Sequence, residues 1–359
     1  MKIVELTKPA VIMANDGSKF NYFGWPSITR LKDGTLLAAA SGFRRRHVCP
    51  FGKCVVIKSE DEGATWSAPT PVIDTVLDDR DAGLCAFGEK GVLLSSFNNT
   101  TAFQRARRDA DETDISYLDS VSPEAEAEAL GVLFRISFDG GEHWSKIYRS
   151  PVTSPHGPCP MNDGSLLWVG RPFSADDSAR EWEQLQAHRL NADGSMELLG
   201  KIEPLYKDGQ KLLSCEPHAL QLPDGTLLCH FRVQEQTGDK NLFTLFETRS
   251  CDGGKSWSVP VQLLPDHGGA PAHLLRHSSG VIVSTYGYRR APFGIRVMLS
   301  AEGREWQKDL VLWEGAENWD CGYPATAELA DGSLYTVFYA RIGAGQPARI
   351  YGMKWRIEK

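Results

Sequence analysis

The chain has 359 residues, 42% of them hydrophobic and 24% charged, with ten Trp, eight Cys and a formal net charge of −7. A net acidic chain without a long basic run excludes nucleic acid as an expected partner. No stretch has the length and apolarity of a membrane span, and the opening MKIVELTKPA has no apolar core of signal-peptide length, so no membrane association, a cytoplasmic location and free thiols are expected.

Six segments share one shape along the chain. KDGTLLAAAS (32–41), EKGVLLSSF (89–97), NDGSLLWVG (162–170), PDGTLLCHF (223–231), SSGVIVSTY (278–286) and ADGSLYTVF (330–338) each set a tight Gly turn before an apolar strand. That is a β-hairpin pattern. A second repeat, Ser-x-Asp-x-Gly-x-x-Trp, occurs as SEDEGATW (59–66), SFDGGEHW (137–144) and SCDGGKSW (250–257), with a worn copy SAEGREW at 300–306. In these boxes Asp can accept backbone N–H groups of a turn, Gly supplies a positive φ, and Trp packs on the sheet, so their role is to hold the fold. The hairpin turns stand 52 to 73 residues apart, room for four strands per unit. The expected architecture is all-β: a six-bladed β-propeller of four-stranded antiparallel blades forming one domain over 1–359.

Residues 98–130 interrupt the second unit. SPEAEAEAL within them reads as a short helix, with Ser122 as N-cap and Pro123 at the first position. The insertion leaves from the end of a second strand, so a lid or a subunit contact in a homo-oligomer is expected of it.

Strand direction locates a working face. The Gly turns and the boxes lie on one face, so the starts of first strands and the ends of second strands lie on the other. Eight residues before the turns stand Trp25, Ala82, Pro155, Glu216, Pro271 and Tyr323; six before stand, among others, His218 and His273. A period of two puts each such pair on one side, so Glu216, His218, His273 and Tyr323 are expected to converge. Arg80 and Asp81 sit at the corresponding end of the second unit. Eight to eleven residues after the turns come Arg44 (with Arg45 and Arg46), Arg171, Arg232, Arg289 (with Arg290) and Arg341. A ring of planar guanidiniums in an acidic protein points to a small anionic carbohydrate as ligand. Two His with Glu216 would also suit zinc or iron, but no dense ligand motif lies on one element, so no metal or cofactor is expected.

The boxes and six units resemble the sialidase (neuraminidase) superfamily over nearly the whole chain. The resemblance implies a Tyr nucleophile at the start of the last blade, where GYPATAELADG places Tyr323, and a Glu partner where CEPHALQLPDG places Glu216. It implies that Arg232 of CHFR grips a substrate carboxylate. For a further arginine from the fifth blade, Arg296 of FGIRVMLS is the first choice, with Arg289 and Arg290 behind it. Two departures stand out. Gly24 of FGWP replaces the family's first-blade Arg, and the loop SGFRRRHVCPFGK, where the family keeps an acid/base Asp, has none. His47 is the group in that loop that titrates near neutral pH. The resemblance thus implies a glycosidase for a terminal acidic sugar with His47 or Asp81 as general acid. Elimination on a uronic-acid sugar and a non-catalytic glycan-binding propeller are the alternatives.

Overall fold

The computed structural model describes residues 1–174, 184–191, 193–235, 242–266, 268–269 and 271–358. Its strands form six small antiparallel sheets in a six-bladed propeller arrangement. Blade 1 runs Tyr22–Arg30, Leu36–Arg44, Lys53–Ser59 and Thr70–Ile73; blade 2 runs Arg80–Phe87, Gly91–Phe97, Val132–Ser137 and Tyr148–Ser150. Blade 3 is built on Cys159–Pro160, Leu166–Pro172, Gln186–Leu190 and Met196–Lys201, and blade 4 on Leu213–Gln221, Leu227–Gln234, Phe243–Ser250 and Val261–Gln262. Blade 5 comprises Ala272–Arg276, Ile282–Tyr288, Gly294–Ser300 and Gln307–Glu314. Blade 6 takes Gly322–Glu328, Leu334–Ala340 and Arg349–Glu358 from the end of the chain, and Lys2–Glu5 pairs onto its last strand. The last blade thus joins strands from both ends of the chain.

The core lies between neighbouring blades. Ile28, Ala38 and Val55 of blade 1, for example, pack with Ala325, Val337 and Tyr339 of blade 6. The box turns hold this seam. In the first box Asp61 Oδ1 accepts the Thr65 N–H at 2.8 Å, the Ser59 hydroxyl accepts the Gly63 N–H at 2.8 Å, and Trp66 Nε1 donates to the Tyr335 hydroxyl of blade 6 at 3.3 Å. Gly63 has φ 85°, and a Cβ there would lie 2.2 Å from the Tyr335 ring, so only Gly fits.

The insertion folds into three short helices: α1 (Thr101–Arg105), α2 (Glu112–Asp119) and α3 (Pro123–Ala129). Helix α3 starts as its sequence predicts, with Ser122 accepting from the Ala125 N–H and Pro123 at the first turn. Among the described residues no helix is long and apolar enough to cross a membrane.

Candidate active site

Four first strands carry the same irregularity. The register with the second strand shifts between Gly24 and Ser27, between Arg80 and Gly83, between Cys215 and His218, and between Gly322 and Ala325. At each shift one bulky residue takes a left-handed backbone: Trp25 (φ 54°), Asp81 (φ 50°), Glu216 (φ 54°) and Tyr323 (φ 48°). Such a conformation costs about 1–3 kcal/mol at a non-glycine residue and persists where it re-aims a side chain. All four side chains line one cavity of about 500 Å³. The second-blade member is Asp81, not Ala82, because the strand pairing centres that hairpin on Glu89, one residue before the Lys90 from which the position is counted.

The cavity is also lined by His47, Arg80, Phe97, Arg232, Phe243, Arg289, Arg290 and Trp319. Tyr323 is 5% exposed and donates its hydroxyl to Glu216. Glu216 in turn accepts from Arg232 Nη1 at 2.8 Å. Arg289 stands 5.3 Å from the Tyr323 ring centroid and is held by the Cys321 carbonyl (2.8 Å) and the Tyr339 hydroxyl (2.9 Å). Burial, with the nearby charges of Glu216 and Asp81, pushes the Tyr323 phenol well above its ordinary range. Burial raises Asp81 to about 7, against the pull of Arg80.

His47 is fixed by its ring and by its backbone. Its Nδ1 is 2.8 Å from Asp320 Oδ1, an oxygen that also accepts the Tyr22 hydroxyl at 2.9 Å. A carboxylate neighbour places the proton on Nδ1 and leaves the Nε2 lone pair for a ligand. Burial lowers the His47 proton affinity, as do Arg80 and Arg289, while Asp320 works in the opposite sense. Despite the cost of its own burial, hydrogen bonds with His47, Tyr22 and Arg341 hold Asp320 below the usual carboxylate range. Trp25 and Trp319 flank the imidazole at centroid distances of 5.0 and 5.7 Å.

Several expected site residues lie elsewhere. Arg44 is fully buried in a two-point pair with Asp78 beneath the Trp25 ring, because a second-strand end turned inward needs a counter-charge. Arg296 is on the third strand of blade 5, where it bonds Glu314 at 2.5 Å and stacks on Tyr288, off the cavity wall. Arg341 pairs with Asp320 at 3.1 Å behind His47. Arg171 lines a smaller neighbouring cavity of about 130 Å³ that shares Asp81, Glu216 and Arg232. His218 and His273 do not join Glu216. The bulge between Cys215 and His218 breaks the period of two for His218, and both imidazoles line a different cavity, with Arg30 and Arg276. There they cluster with His156, the His218 and His273 rings stacked at 4.5 Å. Burial keeps all three below the ordinary His range, His218 at about 3. Among the described residues no group of three or more His, Cys, Asp or Glu is arranged to hold a metal ion.

Sequence reasoning passed over Trp319, Asp320, Phe97 and Phe243. The first two stand just before Tyr323 in ENWDCGY, on the loop entering the last blade's inner strand, which the topology sends to the working face.

No curated protein sequence matches the chain. Among solved structures it is similar to a protein of unknown function from Dyadobacter fermentans DSM 18053, at 21% identity over 99% of both chains with a TM-score of 0.74. It is similar to the NanB sialidase of Streptococcus pneumoniae at 11% identity, covering 98% of this chain and 71% of that one, TM-score 0.69. The GH93 alpha-L-arabinofuranosidase of Fusarium graminearum shares 14% identity over 99% of this chain and 97% of that one, TM-score 0.60. These likenesses show a common fold. The model of the BNR repeat-like domain matches residues 120–336, more than half the chain, so the chain belongs to the BNR repeat-like family, on a six-bladed propeller fold that it shares with sialidases.

Proposed function

We propose that the protein is a glycoside hydrolase acting on a terminal acidic sugar. The observation that carries this is the partly buried string Tyr323–Glu216–Arg232, set in a cavity with three further arginines. A neutral phenol can approach an anomeric centre that bears a carboxylate, where a carboxylate nucleophile would be repelled. Tyr323 Oη attacks the anomeric carbon while Glu216 takes the phenol proton. The leaving oxygen receives a proton from His47, which occupies the loop where sialidases keep their acid/base Asp. Water then opens the Tyr323–sugar bond with the proton transfers reversed. The low proton affinity of His47 in the empty cavity owes part to Arg80 and Arg289. A bound carboxylate offsets both charges and so raises His47 toward its working range. Sialidase and arabinofuranosidase neighbours on this fold support glycoside chemistry.

Elimination on a uronic-acid sugar is the second reading. It is favoured by the neutral imidazole that Asp320 orients, a ready base for a C5 proton. A screen of purified protein against aryl glycosides of sialic acids, uronic acids and neutral sugars separates the two. Aryl release from an acidic sugar supports hydrolysis, and an absorbing unsaturated product supports elimination. Turnover confined to neutral sugars would overturn the acidic-substrate reading.

A further inference from the structure

Arg45, Arg46 and the acidic insertion stand outside that mechanism, and they meet each other. Arg45 Nη1 donates to Asp111 Oδ1 at 2.8 Å and to Asp114 Oδ1 at 3.0 Å, and its Nη2 donates to Asp111 Oδ2. Arg46 bonds Asp114 Oδ2 and reaches Asp109 Oδ2 at 3.2 Å. Asp111 and Asp114 are the N-cap and N3 residues of α2. Each carboxylate also takes the other's backbone N–H, closing a capping box. Asp114 is 1% exposed, so its charge is balanced by the two arginines and this turn alone. A second contact runs through α1, where Gln104 Nε2 donates to Asp78 Oδ2 at 3.0 Å. Asp78 is the carboxylate that holds Arg44. Arg44 Nη2 and Arg80 Nη1 then both donate to the His47 carbonyl at 2.9 Å.

Each residue from Arg44 to His47 is therefore pinned, and the pins of Arg45 and Arg46 come from the insertion. The ordered start of α2 and the seat of the His47 loop share the same two carboxylates, so neither forms fully without the other.

We infer that the insertion is a brace that sets the position of His47, with Asp114 as its central positioning residue. This rests on the reading of His47 as the acid/base group. It differs from a lid, since the buried Asp114 carboxylate ties the insertion to Arg45 and Arg46, which follow the second strand of blade 1. Substituting Asp114 removes the buried charge between Arg45 and Arg46, which then repel each other, and the loop moves outward. Misplacement of an acid/base group by about 1 Å costs up to roughly a hundredfold in rate.

The test uses the full chain with Asp114→Asn, and Arg46→Gln as a second variant should the first fail to fold, each checked by circular dichroism. Nitrogen-15 NMR follows the His47 ring, assigned by its loss in His47→Gln. The groups facing that ring are Asp320, Tyr22, Arg80 and Arg289. Release of the loop hydrates the imidazole, so its titration is expected to rise toward the ordinary value of about 6.5. On the substrate found in the screen, kcat is expected to fall about tenfold or more with KM within about threefold, and Asp114→Glu to recover part of it. A folded Asp114→Asn protein with wild-type His47 titration and wild-type kcat would overturn the brace. The NMR readout needs no substrate. A shifted titration beside full activity of His47→Gln would keep the brace and sink the acid/base role instead.

Discussion

Replacing Tyr323 by Phe removes one oxygen from the centre of the site. That hydroxyl donates to Glu216 Oε1, while Glu216 Oε2 keeps its 2.8 Å bond from Arg232 Nη1. The fold loses one charge-assisted hydrogen bond, worth about 1.5–3 kcal/mol, offset in part because a buried hydroxyl no longer needs desolvation. The left-handed backbone at residue 323 and the ring packing against Tyr339 (6.0 Å between centroids) are untouched. A net destabilisation below about 2 kcal/mol follows, too little to unfold a domain of ordinary stability. The chemistry has no such reserve. On the proposed mechanism no covalent intermediate forms without the phenol, and kcat should fall by a factor on the order of 10⁴ or more with KM nearly unchanged. Thermal melts followed by circular dichroism and rates of aryl release on one preparation measure both. A folded Tyr323→Phe protein with undiminished kcat would refute the nucleophile assignment.

Arg289→Lys should raise KM for an acidic sugar about tenfold or more, since a guanidinium at a planar site is not replaced by an ammonium, whereas Arg296→Lys should leave KM within about twofold; equal effects would mean the fifth-blade assignment is mistaken. Arg44→Gln leaves Asp78 buried with half its partners gone and should destabilise the fold by about 3–5 kcal/mol, read as a lowered denaturation midpoint. For His218 the folded proton affinity is depressed to about 3, so its contribution to stability is intact above the ordinary His value of about 6.5 and is lost as pH falls from there toward 3. His218→Gln should therefore flatten the loss of melting temperature over that window, and an unchanged slope would show that His218 is not its source.

The propeller was legible because its information is local and repeated. A Gly turn before an apolar strand, and a box whose Asp and Gly are fixed by turn chemistry, can be read from a few residues at a time. Counting from those turns reaches Glu216, Tyr323, Arg232, Arg289 and Arg290, the corresponding strand end supplies Arg80 and Asp81, and the family resemblance points to His47; all eight line one cavity. The failures have two physical causes. A β-bulge between Cys215 and His218 leaves no composition signal, yet it moves His218 to the other side of its strand, into a cavity that it shares with His273 of blade 5. Arginine counts also cannot distinguish a guanidinium aimed at a ligand from one with a private counter-charge. Arg44 found Asp78, Arg296 found Glu314 and Arg341 found Asp320, each partner distant in sequence.

Electrostatics of the cavity supplies a last expectation. Arg80, Arg232, Arg289 and Arg290 face Glu216, and each guanidinium is already held on one side by the protein: Arg80 by the His47 carbonyl, Arg232 by Glu216 and Gln234, Arg289 by Cys321 and Tyr339, Arg290 by Asp266. Such preorganisation spares the substrate the entropy of ordering them and leaves their other N–H groups for an anion. Asp81 decides how positive the cavity is. Burial holds its proton on up to about pH 7, so below that pH it is neutral, and above it a second negative charge appears beside Glu216. The attraction for an anionic sugar must then weaken as pH rises through 7. KM for the acidic substrate should climb by about tenfold per pH unit at most as the carboxyl ionises, while KM for a neutral aryl glycoside of the same series stays flat. Asp81→Asn cannot ionise, and its KM for the acidic sugar should remain low through pH 8. If wild type and Asp81→Asn rise together, the rise comes from a group other than Asp81; if neither rises, ionisation of Asp81 does not govern the affinity for the acidic sugar.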